Sequence, residues 1–375
     1  MKRFFGRLST ILAAVRVWTI NLFTLFLLIY FIGGAIYLLS SRPGKVDPAG
    51  KVLILNPEGT VQDQEVFPSE LDFPFMVSAQ KQIQSRDLIR LIRAAAADKQ
   101  LAGVLLDFSK TGFAGPSTAL NIARELAALR AAGKPVIAYS EVLDTSAYLM
   151  AAQADEIYVH PSGALAINGI GGYRDYTREL TDKLRITIHN YSQGDYKSAV
   201  EGLTRTDMSD ADRLQREELY TPIWAALKTS MAEARGLEAQ QFQTLADDYS
   251  VPLINEAAYD GLAYAQAQGM INGTRTFPEL RDLMIERFGR SEDEDDPRET
   301  YPHIGWNAYF SQLEPEDNEA EDAVAVVFVE GGIQQGKTAP GVAGAADVAP
   351  LIRRAHEDDS TRAIVLRVNS PGGSV

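Results

Sequence analysis

The sequence predicts a layered α/β protein, built partly twice over, behind one apolar N-terminal helix. Three observations predict it. Short apolar runs alternate with segments of helical periodicity, which calls for a sheet covered by helices. A 22-residue segment returns without gaps 260 residues later. An uncharged apolar run of membrane-spanning length stands near the N-terminus.

That run is Val17–Leu39, with Trp18 and Tyr37 near its ends, where amphipathic rings favour the headgroup level. Lys2, Arg3, Arg7 and Arg16 precede it, so the positive-inside bias places the N-terminus in the cytoplasm. A cleaved secretory signal is the rival reading, but the run exceeds a signal's apolar region and no Ala-x-Ala site follows. The expected order is a basic tail over 1–16, an anchor over 17–39, and the remainder on the far side of the membrane.

After Arg42-Pro43-Gly44 the α/β pattern begins. Lys51–Leu55 and Gly103–Phe108 read as buried strands. Between them Asp87–Ala97 places Leu88, Leu91, Ile92 and Ala95 on one helical face. Thr118–Ala131 reads as a helix stopped by Gly133, followed by a strand over Pro135–Tyr139. Asp144–Ala154 is expected helical, Glu156–Val159 extended, Tyr173–Leu184 helical and Ile186–Tyr191 extended. From Ser209, capped in a Ser-x-x-Asp pattern with Asp212, the chain is expected mainly helical to about Gly289.

The repeat pairs Asp87–Phe108 with Asp347–Val368, and Leu53–Val61 is echoed by Val327–Ile333. A period this long indicates tandem domains, not a solenoid. The first copy continues well over a hundred residues past Phe108, whereas the second stops seven residues past Val368. The expectation is a first domain over 46–289, an acidic linker over 290–322, and the start of a truncated second domain over 323–375.

Composition narrows the chemistry. Of 375 residues, 46% are hydrophobic and 23% charged, an ordinary globular balance. The absence of cysteine excludes disulfides, thiolate nucleophiles and Cys-ligated metals. None of the four histidines stands at metal-ligand spacing from another, and none reads as part of a triad. The net charge of −14 argues against nucleic acid as a partner. Twelve acids between Ser291 and Asp322, against the single base Arg298, carry most of that charge and read as a solvated linker. Tyr301, Trp306, Tyr309 and Phe310 within it are expected to dock on a neighbouring domain.

Two segments are candidates for chemistry. Asn369-Ser370-Pro371-Gly372-Gly373-Ser374 follows a buried strand, and its Pro-Gly-Gly turn leaves amides open to a ligand's oxyanion. Gly194-Asp195-Tyr196-Lys197-Ser198-Ala199-Val200-Glu201 presents a lysine after a tight turn. A partly desolvated lysine can act as general base toward a serine; as a surface lysine it has no such role. Gly331–Thr338 fits the phosphate-loop pattern, but Ala339-Pro340-Gly341 follows where a helix must begin. That match is set aside.

Taken together, Arg367–Val375, Gly194–Gly202, the anchor and the repeat resemble the long form of signal peptide peptidase A, peptidase family S49. The resemblance implies two tandem crotonase-like, Clp-protease-like α/β domains sharing one Ser–Lys dyad. It makes Lys197 the general base and places Gly372 and Gly373 in the oxyanion-hole loop. The nucleophilic serine is expected beyond Val375. Ser146 lies where the first copy would carry one, but without the family's Gly-rich surround. The resemblance implies extended apolar peptides as substrates, the bilayer of a bacterial inner membrane as location, a homotetramer as assembly, and no cofactor. The competing class is an inactive membrane-anchored scaffold, as is fitting for a lysine without its serine.

Overall fold

The computed structural model describes residues 2–40, 47–64, 81–248, 260–292, 299–313, 322–339 and 341–374. The chain forms two units, residues 1–47 and 48–375.

The first unit is one helix, α1 (Lys2–Ser40), whose stretch Val15–Gly34 is long and apolar enough to cross a membrane. Every described side chain there is exposed. The hydroxyls of Thr19 and Thr24 donate to the carbonyls of Val15 and Ile20, at 2.9 and 2.8 Å. Their polar groups are thereby satisfied within the helix, as an apolar solvent requires. The helix extends through the basic tail, well beyond the 17–39 expected for the anchor.

The second unit begins with β1 (Val52–Leu55), β2 (Gly59–Gln62), β3 (Gln82–Gln84) and α2 (Ser85–Ala97). There follow β4 (Gly103–Leu106), β5 (Thr111–Phe113), α3 (Pro116–Ala131), β6 (Val136–Asp144), α4 (Thr145–Ala151) and β7 (Glu156–Ala166). The helical stretch holds α5 (Arg178–Lys183), α6 (Glu201–Thr204), α7 (Asp210–Arg235), α8 (Ala239–Asp248) and α9 (Gly261–Ala267), then β8 (Gly273–Thr274) and α10 (Phe277–Phe288). The chain continues through β9 (His303–Gly305), α11 (Trp306–Phe310), β10 (Ala323–Glu330), β11 (Ile333–Gln334), β12 (Ala343–Gly344), α12 (Ala345–Glu357) and β13 (Thr361–Asn369).

The main sheet is parallel throughout, in the order β8-β7-β6-β4-β1-β9. Its strands read as apolar runs because both faces are covered. Val52, Leu105, Ile137, Tyr139 and Tyr158 face Leu280 and Met284 of α10. The alternate residues Leu53, Leu55, Val104, Leu106 and Ala138 are buried on the opposite face. Leu88, Leu91, Ile92 and Ala95 of α2 are the buried residues of that helix, as its periodicity predicts. A small parallel sheet, β3-β2-β5, stands beside the main one.

The repeat reappears as geometry. Val52 pairs with Gly103 and Leu55 with Leu106; in the second copy Val324 pairs with Ala363 and Val327 with Leu366. The bridge between Ile333 and Gly373 likewise stands where Val61 pairs with Phe113.

Three expectations fail. Tyr173–Leu184 is helical only over Arg178–Lys183, and Ile186–Tyr191 forms no strand. Among the described residues its alternating pattern meets no partner strand, and the segment lies exposed, so water satisfies the backbone groups that a ladder would otherwise pair. His303, expected in a linker, lies in β9 at the edge of the main sheet. Tyr301 and Tyr309 are buried, and Arg90 stacks on the Phe310 ring at 4.6 Å. Of the acidic block, 293–298 and 314–321 lie outside the described residues, as do Arg42-Pro43-Gly44 and Val375.

Candidate active site

Lys197 lies in an irregular segment between α5 and α6. Gly194, at φ +103°, makes the turn, and the Lys197 amide donates to the Gly194 carbonyl at 3.3 Å. The lysine side chain is exposed and makes no ion pair or hydrogen bond among the described residues.

The backbone just behind it is held firmly. Arg174 Nη2 donates to the carbonyl of Ser198 at 2.6 Å and to that of Ala199 at 2.8 Å. Asp212 orients this guanidinium: its Oδ2 lies 3.4 Å from Arg174 Nη1 and 3.0 Å from Arg216 Nε. The Asp212 side chain is only 3% exposed. Burial opposes its charge, but hydrogen bonds from Ser198 and Arg216 and the charges of Arg216 and Arg174 outweigh burial. The carboxyl is held below its ordinary value. Downstream, the Gly202 carbonyl accepts from the amide of Thr177 at 2.7 Å and from its hydroxyl at 3.1 Å. Glu201 accepts from the Ser209 hydroxyl at 2.5 Å.

These contacts revise one local expectation. Ser209 does cap α7, accepting from the Asp212 amide at 3.1 Å. The Asp212 carboxylate does not return the bond as a capping box would. It serves the two arginines and Ser198, which is a role the local pattern does not reveal.

The glycine loop follows β13. Gly372 and Gly373 have φ of +111° and +158°, and a Cβ on Gly373 would collide with the Ile333 backbone. The Ile333 amide donates to the Gly372 carbonyl, and the Ser374 amide to the Ile333 carbonyl, each at 2.9 Å. The Gly372 amide donates to the Ser370 hydroxyl at 3.1 Å. The Gly373 amide is thus the one in the Pro-Gly-Gly turn without a partner among the described residues. No hydrogen bond joins Lys197 to Gly372 or Gly373 among the described residues.

Gly331–Thr338 forms no phosphate loop. Thr338 donates through its amide to Asp347 at 2.9 Å and through its hydroxyl to the Val342 carbonyl at 2.7 Å, and α12 starts only at Ala345.

Residues 128–270, which include Lys197 and its Arg174–Asp212 support, match the family model for peptidase family S49. This stretch is a peptidase family S49 domain. Protease 4 of Haemophilus influenzae is 32% identical over 78% of this chain and 47% of its own length. Protease 4 of Salmonella typhi is 28% identical over 99% of this chain and 60% of its own length. The chain therefore spans about half the length of the curated relatives it matches. Among solved structures, the 1510-N membrane-bound stomatin-specific protease aligns over 68% of this chain and 88% of its own, at 12% identity and a TM-score of 0.33.

Proposed function

We propose that this chain carries the base of a membrane-anchored serine endopeptidase, working through a Ser–Lys dyad and degrading cleaved signal peptides. The supporting observation is that Lys197 falls within the stretch matching peptidase family S49, on a backbone fixed from behind by Arg174 and Asp212. A catalytic side chain has to be held at its root for its tip to be positioned.

In this reading Lys197, in its neutral form, takes the proton of the attacking serine hydroxyl while the serine oxygen bonds to the scissile carbonyl carbon. The serine is not assigned to any residue of this chain. The Gly373 amide, in the loop shaped by Gly372, donates to the oxyanion. Collapse breaks the C–N bond, the leaving amine takes the proton back from Lys197, and water then hydrolyses the acyl-enzyme. No cofactor enters the scheme.

Val15–Gly34 serves as the anchor, and the preceding basic residues orient it with the bulk of the chain in the periplasm. Homo-oligomeric assembly, a tetramer in this reading, is supported by exposed apolar side chains in the segment between β7 and α6, namely Tyr173, Leu180, Leu184, Ile186 and Tyr191. The test is the fate of a synthetic signal peptide added to membranes containing the natural protein. It should disappear with wild-type protein and persist with Lys197→Ala; equal loss in both would overturn the assignment.

A further inference from the structure

A cavity of about 230 Å³ opens between the end of β5, the start of α4 and the loop after β7. Phe113, Pro116, Ala119, Ile170 and Leu227 give it an apolar lining. Since an apolar cavity of roughly 150 Å³ accommodates benzene, this one takes a leucine or phenylalanine side chain. Ser146 stands at its wall, half-buried, with no hydrogen-bond partner among the described residues. The neighbouring Thr145 hydroxyl, by contrast, is fully engaged with Asn168, donating to its carbonyl and accepting from its amide, both at 2.8 Å.

The strand beside the cavity is open. Among the described residues β5 is an edge of the small sheet, order β3-β2-β5. The Lys110 carbonyl accepts from Gly59 at 3.1 Å and the Ala114 amide donates to Val61 at 2.9 Å, so these groups face β2. By the alternation of a strand, the Phe113 N–H and C=O face the other way and carry no ladder bond. An unpaired strand edge next to one apolar pocket is the arrangement that accepts an extended peptide, the backbone giving affinity and the pocket selectivity.

We infer that the β5 edge and this cavity form a second peptide site, binding an extended segment with one apolar side chain seated against Phe113, Pro116 and Leu227. It is distinct from the Lys197 site and binds without cleaving. The lining holds no lysine or histidine to take the Ser146 proton. Phe113 also occupies, in the first copy, the pairing position that Gly373 holds in the second. The site is therefore the first copy's counterpart of the glycine loop, retained as a receptor for substrate backbone.

The test uses the natural protein in detergent and a leucine-rich peptide carrying one benzoylphenylalanine, with cross-links mapped by mass spectrometry. Cross-links are expected within 113–119 and 145–170. They should persist in Lys197→Ala, which separates this site from the proposed dyad. Gly115→Leu fills the cavity: Gly115 is in extended backbone, and a Cβ there meets nothing within 4 Å. That variant should lower the cavity cross-link by about tenfold or more, as should N-methylation of the peptide at the residue that pairs with Phe113. Absence of cross-links in these segments, or equal yield in Gly115→Leu, would overturn the inference.

Discussion

Arg174 grips the carbonyl of Ser198 at 2.6 Å, one residue beyond the lysine on which the proposed chemistry depends. The two residues are 24 apart in sequence, and the guanidinium reaches a second carbonyl at Ala199 from the same nitrogen. The irregular backbone at this point owes its shape to that fork, since no strand ladder fixes it. Asp212 keeps the fork aimed, and Arg216 shares the carboxylate's charge.

Replacing Arg174 should therefore loosen the Lys197 segment more than the fold. In Arg174→Met the bonds to both carbonyls vanish and Asp212 keeps only part of its compensation. The expected cost is on the order of 3 kcal/mol, as for breaking one side of a buried pair. Hydrogen exchange over residues 194–204 should rise well before that of the sheet. Arg174→Lys should not restore protection, because one ammonium cannot reproduce the planar fork.

Asp212 also predicts a pH dependence. Its carboxyl lies below the ordinary value in the folded chain, so its ionised form stabilises the fold. That contribution is complete above the unfolded carboxylate range near pH 4 and is lost as the pH falls through the lowered folded value. Denaturant midpoints of the wild type should fall with acid in that window. Asp212→Asn, less stable at neutral pH, should show a flatter acid limb; parallel curves would contradict the carboxylate's role.

Gly373→Ala should displace the glycine loop. The residue sits at φ +158°, and the added methyl meets the Ile333 backbone, which cannot rotate away. Backbone strain of this kind costs roughly 1–3 kcal/mol. The proposed oxyanion amide would move with it, so peptidase turnover in the natural protein should drop about a hundredfold or more. Gly305→Ala, whose methyl meets open space on a backbone at φ −70°, is the control expected to leave turnover near normal.

Arg367 of β13 pairs with Asp63 at the end of β2, Nε to Oδ2 at 2.8 Å, and Asp63 is mostly buried. Ser85 also donates to Asp63, at 2.9 Å, which positions the carboxylate. A double-mutant cycle of Arg367→Ala and Asp63→Ala should give a coupling of about 1 kcal/mol, more than an exposed pair commonly shows. Additive effects would mean that β13 and β2 do not depend on this contact.

Much of the fold was legible from local pattern. The α2 face was given by the spacing of Leu88, Leu91, Ile92 and Ala95, and the repeat marked β10 and β13 as echoes of β1 and β4, whose pairing only the structure supplies. Apolar alternation in Ile186–Tyr191 misled, because a strand exists only with a neighbour and sequence spacing does not supply one. At the candidate site the lysine turn and glycine loop were visible as motifs. The Arg174–Asp212 contact was not, since it joins residues 38 apart through a fold that must form first. The Asp212–Arg216 spacing of four on α7 was the only local hint, and it reads equally well as an ordinary surface pair.

The central claim, that Lys197 is the base, is tested most directly by chemical rescue in the purified natural protein. Lys197→Ala should lower hydrolysis of an apolar fluorogenic peptide by about a hundredfold or more, and added propylamine should restore part of the rate. Undiminished turnover in Lys197→Ala would contradict the assignment outright, and a loss that no primary amine repairs would contradict the proton-transfer role given to this side chain.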